Sequence, residues 1–355
     1  MKGLSVSRII RQRLFLPTLC LAFVLLLNLL KTPGFFEISI NNGVLYGFVI
    51  DLINRGSELA VIAVGMTFIV AVSGGVDISV GSVAALTAAV ITNILSGGEV
   101  AVNELHAPIL LAFLTGLVCA ALCGAWNGFL VAHLNIQPMV ATLILYTAGR
   151  GIAQLICGGQ ITYIRVDAYR VLGTAFNSNP IPTPIYIAAI VIILTFIFLK
   201  FTSFGLYVRA VGINSEAARL AGINPEKIVF LSYVISAILA GIAGAVYSSR
   251  IYSCDANNIG ANVEMDAVLA VFLGGNSLRG GRFSITGSVI GAYTIQALTT
   301  SAYAMGVSSV QMPVCKAIVI LLALIVQSPK FDVIFKKNKP TEEKAGVIRG
   351  GGAYL

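Results

Sequence analysis

Ten apolar runs dominate this sequence: residues 14–30, 57–73, 79–96, 108–131, 138–157, 184–200, 227–249, 265–275, 284–303 and 314–328. A helix needs about 20 apolar residues to span the hydrocarbon of a bilayer, and most of the runs approach or reach that length. Lipid offers no partner to a bare peptide group, so such runs become helices with their backbone groups bonded internally. Only 11% of the residues are charged, against about 25% in a soluble domain. That excludes a soluble enzyme, a secreted domain and a disordered chain. The expectation is an all-α polytopic membrane protein with about ten transmembrane helices.

Two stretches depart from this pattern. The run at 265–275 is too short for an ordinary span, which points to a broken or re-entrant helix surrounded by protein or a water-filled path. Residues 43–56 carry Asp51 and Arg55, and Glu58 follows, at helical spacings of four and three. They form either a surface helix stitched by ion pairs or an extension of the second span.

The basic residues orient the chain. Sixteen of the 23 fall in four segments: Lys2 to Arg13, Lys200 to Lys227, Arg279 with Arg282, and Lys330 to Arg349. Loops rich in Lys and Arg stay in the cytoplasm, and ten crossings return both basic termini to that side. The expected organisation is a cytoplasmic segment at 1–13, a transmembrane domain at 14–329 with its central loop at 203–227, and a cytoplasmic tail at 330–355. The tail also offers a basic patch to lipid head groups. The first run, without a small-x-small cleavage site after it, reads as an uncleaved helix. Pro108, Pro138, Pro184, Pro225 and Pro313 stand at span starts, where a missing N–H is harmless. AGRGIAQ (Ala148–Gln154) and AGIAGAVY (Ala240–Tyr247) are small-residue faces suited to close helix packing. Cys254 alone among the six cysteines falls in a polar loop.

No phosphate-binding GxxxxGK[ST] loop, HExxH motif or Cys/His cluster occurs, so neither nucleotide binding by that loop nor a metal site is expected. The polar residues fall instead in four places. The first is GGVDISVGS, where Gly74 and Gly75 break the helix before Asp77. An ionisable group at membrane depth is costly and usually functional. Asp77 either caps the next helix or lines a solute path, and one role does not exclude the other. GGRFSITGSV repeats the GGxxxxxGSV pattern with Gly280 and Gly281. Paired interrupted helices mark binding regions in transporters, although an inverted repeat needs opposite sides and the span count puts both motifs on the cytoplasmic side.

The third place is Asn214, Ser215, Glu216, Ala217, Ala218, Arg219, Leu220, Ala221 and Gly222. Asn214 or Ser215 caps a short helix, Glu216 suits its first turn, and Gly222 stops it. The alanines give it a small-residue face that fits a partner's groove. The fourth is the outer loop with Asp255, Asn257, Asn258, Asn262, Glu264 and Asp266, groups able to bond hydroxyls. Inside spans, Asn127, Arg150, Gln154, Gln296 and Lys316 add polar groups. Arg150 and Lys316 require carboxylate or carbonyl partners, for which Asp77, Glu264 and Asp266 are the candidates. The candidate solute path therefore comprises Asp77, Asn127, Arg150, Gln154, Asp255, Asn257, Asn258, Glu264 and Asp266.

GGVDISVGS, INSEAARLAGI, DANNIGANVEMDAVLAVFLGG and LRGGRFSITGSVIGA together resemble the permease subunits of ribose-type bacterial ABC sugar importers. Residues 127–161 and the DANN motif are most similar to the galactofuranose importers within that family. The resemblance covers about 57–328. It implies a multi-pass subunit of the bacterial inner membrane, without enzymatic activity or a bound cofactor of its own. It also implies three kinds of partner: an ATPase that holds ATP and Mg, a periplasmic sugar-binding protein, and a second permease copy or a homologous permease. By the same resemblance, Asn214–Gly222 is the coupling helix that enters the ATPase. The residues alone leave two rivals open: a permease for another solute, such as branched-chain amino acids, and a secondary transporter acting alone.

Overall fold

The computed structural model describes residues 15–41, 44–175, 179–277 and 279–327. The expected cytoplasmic segment at 1–13 and the tail at 330–355 lie outside them. Ten helices coincide with the ten apolar runs: α1 (Phe15–Lys31), α2 (Phe48–Ser73), α3 (Val80–Ser96), α4 (Ile109–Ala132), α5 (Pro138–Ile156), α7 (Thr183–Phe201), α10 (Pro225–Ile251), α11 (Val263–Leu273), α12 (Ile285–Ala304) and α13 (Met312–Gln327). Three shorter helices are α6 (Asp167–Arg170), α8 (Phe204–Ile213) and α9 (Ser215–Leu220). Five helices, α2, α4, α5, α7 and α10, are long and apolar enough to cross a membrane.

Residues 48–56 extend the second run rather than form a separate surface helix, since α2 is continuous over 26 residues. The Asp51–Arg55 pair (2.8 Å) does stitch its first turns. Glu58, however, turns inward to a distant partner. The short run is a helix of 11 residues, α11, about 16 Å long at 1.5 Å per residue.

Three two- or three-residue strands define one end of the molecule. β3 (Ala101–Val102) runs parallel to β4 (Thr162–Ile164), and β5 (Ser253–Cys254) pairs antiparallel to β4 with Thr162 opposite Cys254. They tie together the loops that follow α3, α5 and α10, so these three helices finish at this strand end. Cys254 is therefore buried in a sheet, not exposed in a loop. A hairpin of β1 (Ser39–Asn41) and β2 (Val44–Tyr46) precedes α2. The opposite end carries α8 and α9.

Helix α2 is buried almost throughout, whereas α4, α5 and α7 are largely exposed. Helix α4 shows why. Leu110, Leu114, Val118, Leu122 and Trp126 recur every four residues on its exposed side, while Ala112, Gly116, Ala120 and Gly124 lie on its buried side. Large apolar residues facing out and small residues facing in are the pattern of a helix solvated by lipid. A Cβ on Gly244 would stand 2.2 Å from the Ala84 carbonyl oxygen, so α10 and α3 touch backbone to backbone. Gly241 and Gly244 thus bear out the small-residue face expected in AGIAGAVY. Gly151 in AGRGIAQ meets nothing within 4 Å.

The two GGxxxxxGSV motifs lie at the same end. Gly74 caps α2 in a left-handed conformation (φ 63°). Gly281, with φ 78°, donates its N–H to Ala71 O at 2.7 Å, one turn before that cap. An inverted repeat is therefore not what relates the motifs. Each opens a helix, α3 and α12, at the α9 end.

Candidate functional site

A cavity of about 700 Å3 lies between α2, α10, α11 and α12, towards the strand end. Its charged lining is paired. Asp51 meets Arg55, Glu58 meets Arg250 (2.5 Å), and Asp266 Oδ2 meets Lys316 Nζ of α13 (2.6 Å). Gln296, Thr299 and Thr300 of α12 add an amide and two hydroxyls. Glu264 and Asp266 fall in the first turn of α11, where free N–H groups favour negative charge. The Glu264 carboxylate is buried and packs against Gly81, where a Cβ would stand 2.3 Å from it.

The outer loop is held in shape by the residues expected to line a path. Asp255 Oδ1 accepts from the Asn257 N–H (3.0 Å) and Oδ2 accepts from the Asn258 amide (2.6 Å). Arg150 of α5 donates through Nη1 to the carbonyls of Ala256, Asn257 and Ile259 at 3.0–3.2 Å. Gln154, one turn later, donates to Asn257 Oδ1. Arg150 thus has carbonyl partners, and Lys316 has Asp266. The structure brings Arg150, Gln154, Asp255, Asn257 and Asn258 into one network, and Asn258 and Asp266 face the cavity.

Asp77 and Asn127 form a separate cluster towards the α9 end. Asp77 Oδ1 accepts from both the Ser79 N–H (2.8 Å) and its hydroxyl (2.6 Å), and Asn127 donates to the same hydroxyl at 2.8 Å. The Ile78 N–H reaches Thr142 Oγ1 of α5 (3.2 Å). Asp77 therefore shapes the turn into α3 and links it to α4, and both Asp77 and Asn127 are buried. One helical turn separates Asp77 from Gly81, so the two clusters adjoin along α3.

The α9 segment is built as a rigid, exposed step. Asn214 caps it by accepting from the Ala217 N–H (3.0 Å). At its other end the Gly222 N–H bonds Arg219 O (2.9 Å) and the Ile223 N–H bonds Ala218 O (3.0 Å), with Gly222 at φ 84°. That double closure is the Schellman pattern. Asn224 then caps α10 through the Lys227 N–H (3.0 Å), and Glu226 of α10 pairs with Arg219 of α9. The alanine face is split: Ala218 is buried in the fold, while Ala217, Ala221 and Leu220 face outward.

Residues 48–327 match the family described as the branched-chain amino acid transport system permease component. The chain belongs to this permease family. It is 42% identical to the galactofuranose transporter permease of Escherichia coli over 89% of this chain and 90% of that one. It is 38% identical to a fructose import permease of Bifidobacterium longum, over 82% and 80% of the two chains. With the ribose import permease of Haemophilus influenzae the identity is 34%, over 90% and 94%. No solved structure matches significantly. The protein is thus a multi-pass inner-membrane transport subunit of an ABC importer, not an enzyme, and such systems carry their ATPase on another chain.

The permease has a buried ion pair that the sequence reading missed. Arg250, at the end of α10, pairs with Glu58, the eleventh residue of α2. Both are ionisable groups in or at the end of an apolar run, which is the signal that marks them. Nothing local could pair them across 192 positions.

Proposed function

We propose that this permease carries a monosaccharide of the ribose or galactofuranose kind across the inner membrane, driven by ATP hydrolysed on a partner ATPase. The observation that carries the reading is the strand-end cavity. Its hydroxyls, amides and charge-matched side chains can bond a neutral polyol without creating an unpaired charge. The named activities of the relatives, galactofuranose, fructose and ribose transport, support it. The family description also covers branched-chain amino acids, whose aliphatic side chains would seek a more apolar lining.

In this reading the ten apolar helices cross the membrane, with α11 as a broken segment. The α9 end is cytoplasmic, in accord with Lys200, Arg209, Arg219 and Lys227. Both termini are then cytoplasmic, in accord with their basic residues. The strand end receives a periplasmic sugar-binding protein. A second permease copy or a homologous permease completes the path, and lipid surrounds α4, α5 and α7. ATP and Mg stay on the ATPase, and this chain holds no cofactor.

The mechanism follows from the rigidity of α9. Closure of the ATPase moves α9, and the Arg219–Glu226 pair with the Asn224 cap passes that motion into α10. Helix α10 packs along α2, α3 and α4 and ends at the cavity. ATP thereby biases the cavity between outward and inward states by stabilising one of them. Reconstitution in liposomes tests this. Sugar uptake must require the ATPase, ATP and the loaded binding protein; uptake by this chain alone under an ion gradient contradicts it.

A further inference from the structure

A second cavity, of about 830 Å3, lies under the β1–β2 hairpin and is bounded by Glu37, Tyr46, Asn54, Gly173 and Thr174. Asp51 and Arg250 line both this cavity and the 700 Å3 one. Arg250 spans the boundary. Its Nε donates to Gly173 O (3.3 Å) and its Nη2 to Asn54 Oδ1 (3.3 Å), both on the hairpin side. The same Nη2 lies 2.5 Å from Glu58 Oε1, on the side of the 700 Å3 cavity. The Gly173 turn leaves no gap, because a Cβ there would stand 2.2 Å from the Arg250 backbone nitrogen.

We infer that the Glu58–Arg250 pair is a partition across the solute path, displaced by the solute, and that Glu58 is the residue at which the permease itself reads hydroxyl groups. This deepens, and rests on, the sugar-permease reading. Glu58 is 2% exposed, and apart from Arg250 neither of its carboxylate oxygens meets a hydrogen-bond donor among the described residues. A carboxylate only accepts hydrogen bonds. When Arg250 swings aside, Glu58 is left as a buried, unpaired charge, which is strongly unfavourable. A sugar entering the gap supplies adjacent O–H donors in place of the guanidinium. The partition therefore opens in exchange for hydroxyls, and not for a solute that has no donors to offer.

The partition also lies at one end of a lever. Helix α10 holds α9 through Glu226 at its start and carries Arg250 near its finish. Its 27 residues span about 40 Å. Motion imposed at α9 thus reaches Arg250 through a single continuous helix.

Two measurements on the full-length permease in its complex test this. Thr299 lines the 700 Å3 cavity and not the one under the hairpin, so Thr299→Cys reports passage across the partition by a hexose-sized thiol reagent applied from the hairpin side. Labelling should be slow in the otherwise native chain and about tenfold faster when Glu58→Met and Arg250→Met are combined, since that pair leaves no stranded charge. If the combined variant fails to fold, Arg250→Lys should speed labelling about threefold, because an ammonium cannot fork between Gly173, Asn54 and Glu58. Equal rates in all backgrounds overturn the partition. Separately, Glu58→Gln should lower kcat for D-ribose or D-galactofuranose uptake about tenfold with KM for the loaded binding protein unchanged. Undiminished kcat overturns the hydroxyl-reading role. Labelling needs neither ATP nor a binding protein. A labelling difference without any native sugar uptake therefore refutes the sugar reading and leaves the partition standing.

Discussion

Removal of Lys316 isolates one interaction at the cavity. Lys316 Nζ lies 2.6 Å from Asp266 Oδ2, and the two side chains are 16% and 20% exposed. At an effective dielectric of about 20, the Coulomb attraction is roughly 6 kcal/mol before desolvation. Desolvation of both ions offsets much of it, so the net worth of the pair is small. Breaking it by Lys316→Met is different, because Asp266 keeps its burial and loses its partner. A fully buried charge stranded in this way costs about 3–5 kcal/mol; the residual exposure here lowers the expectation to about 2–4 kcal/mol. Adding Asp266→Asn removes the stranded charge and should recover about 1–3 kcal/mol of coupling. Unfolding of the purified permease in detergent, followed for wild type, both single variants and the double variant, measures this. Should Lys316→Met unfold with the wild type, or the double variant unfold as early as Lys316→Met, the ion pair is not what fastens α13 to α11.

Three further outcomes are expected. Ala217→Trp or Leu220→Glu on the outward side of α9 should abolish ATP-coupled uptake while membrane insertion persists, whereas Ala218→Trp should also lower stability because Ala218 is buried; uptake and melting assays separate the two effects. Arg150→Met frees the carbonyls of Ala256, Asn257 and Ile259, and should raise hydrogen exchange and protease cutting across residues 255–262. Gly244→Ala should destabilise the permease by about 1–3 kcal/mol through overpacking, since its Cβ would stand 2.2 Å from Ala84 O, while Gly151→Ala, with open space around it, should melt like the wild type.

The helices were legible because lipid makes each apolar run a helix, and the ends agree to within a few residues wherever a proline or an Asn cap marks them. Asn214, Gly222 and Asn224-Pro225 likewise mark α9 from local chemistry alone. The start of α2 was ambiguous because Asp51, Arg55 and Glu58 lower its apolar character; the structure resolves this by pairing Glu58 with Arg250. Sheet pairing such as Thr162 with Cys254 leaves almost no trace in two- and three-residue strands. Helix α8 was missed because it is short and follows α7 after a brief break. The site was half legible. Polar residue types at membrane depth marked the outer loop, Asp77 and Lys316, but which of them meet depends on helix packing. Arg150 illustrates this, since its partners are carbonyls that carry no residue-type signal.

The proposed role of this permease is to couple a partner's ATP hydrolysis to the movement of a sugar. Its most direct test is the ATPase rate of the reconstituted complex of permease, ATPase and binding protein. A sugar-loaded binding protein should stimulate hydrolysis, and a binding protein loaded with a branched-chain amino acid should leave it at the basal rate. Stimulation by the amino-acid-loaded protein and none by the sugar-loaded one would refute coupling to a sugar.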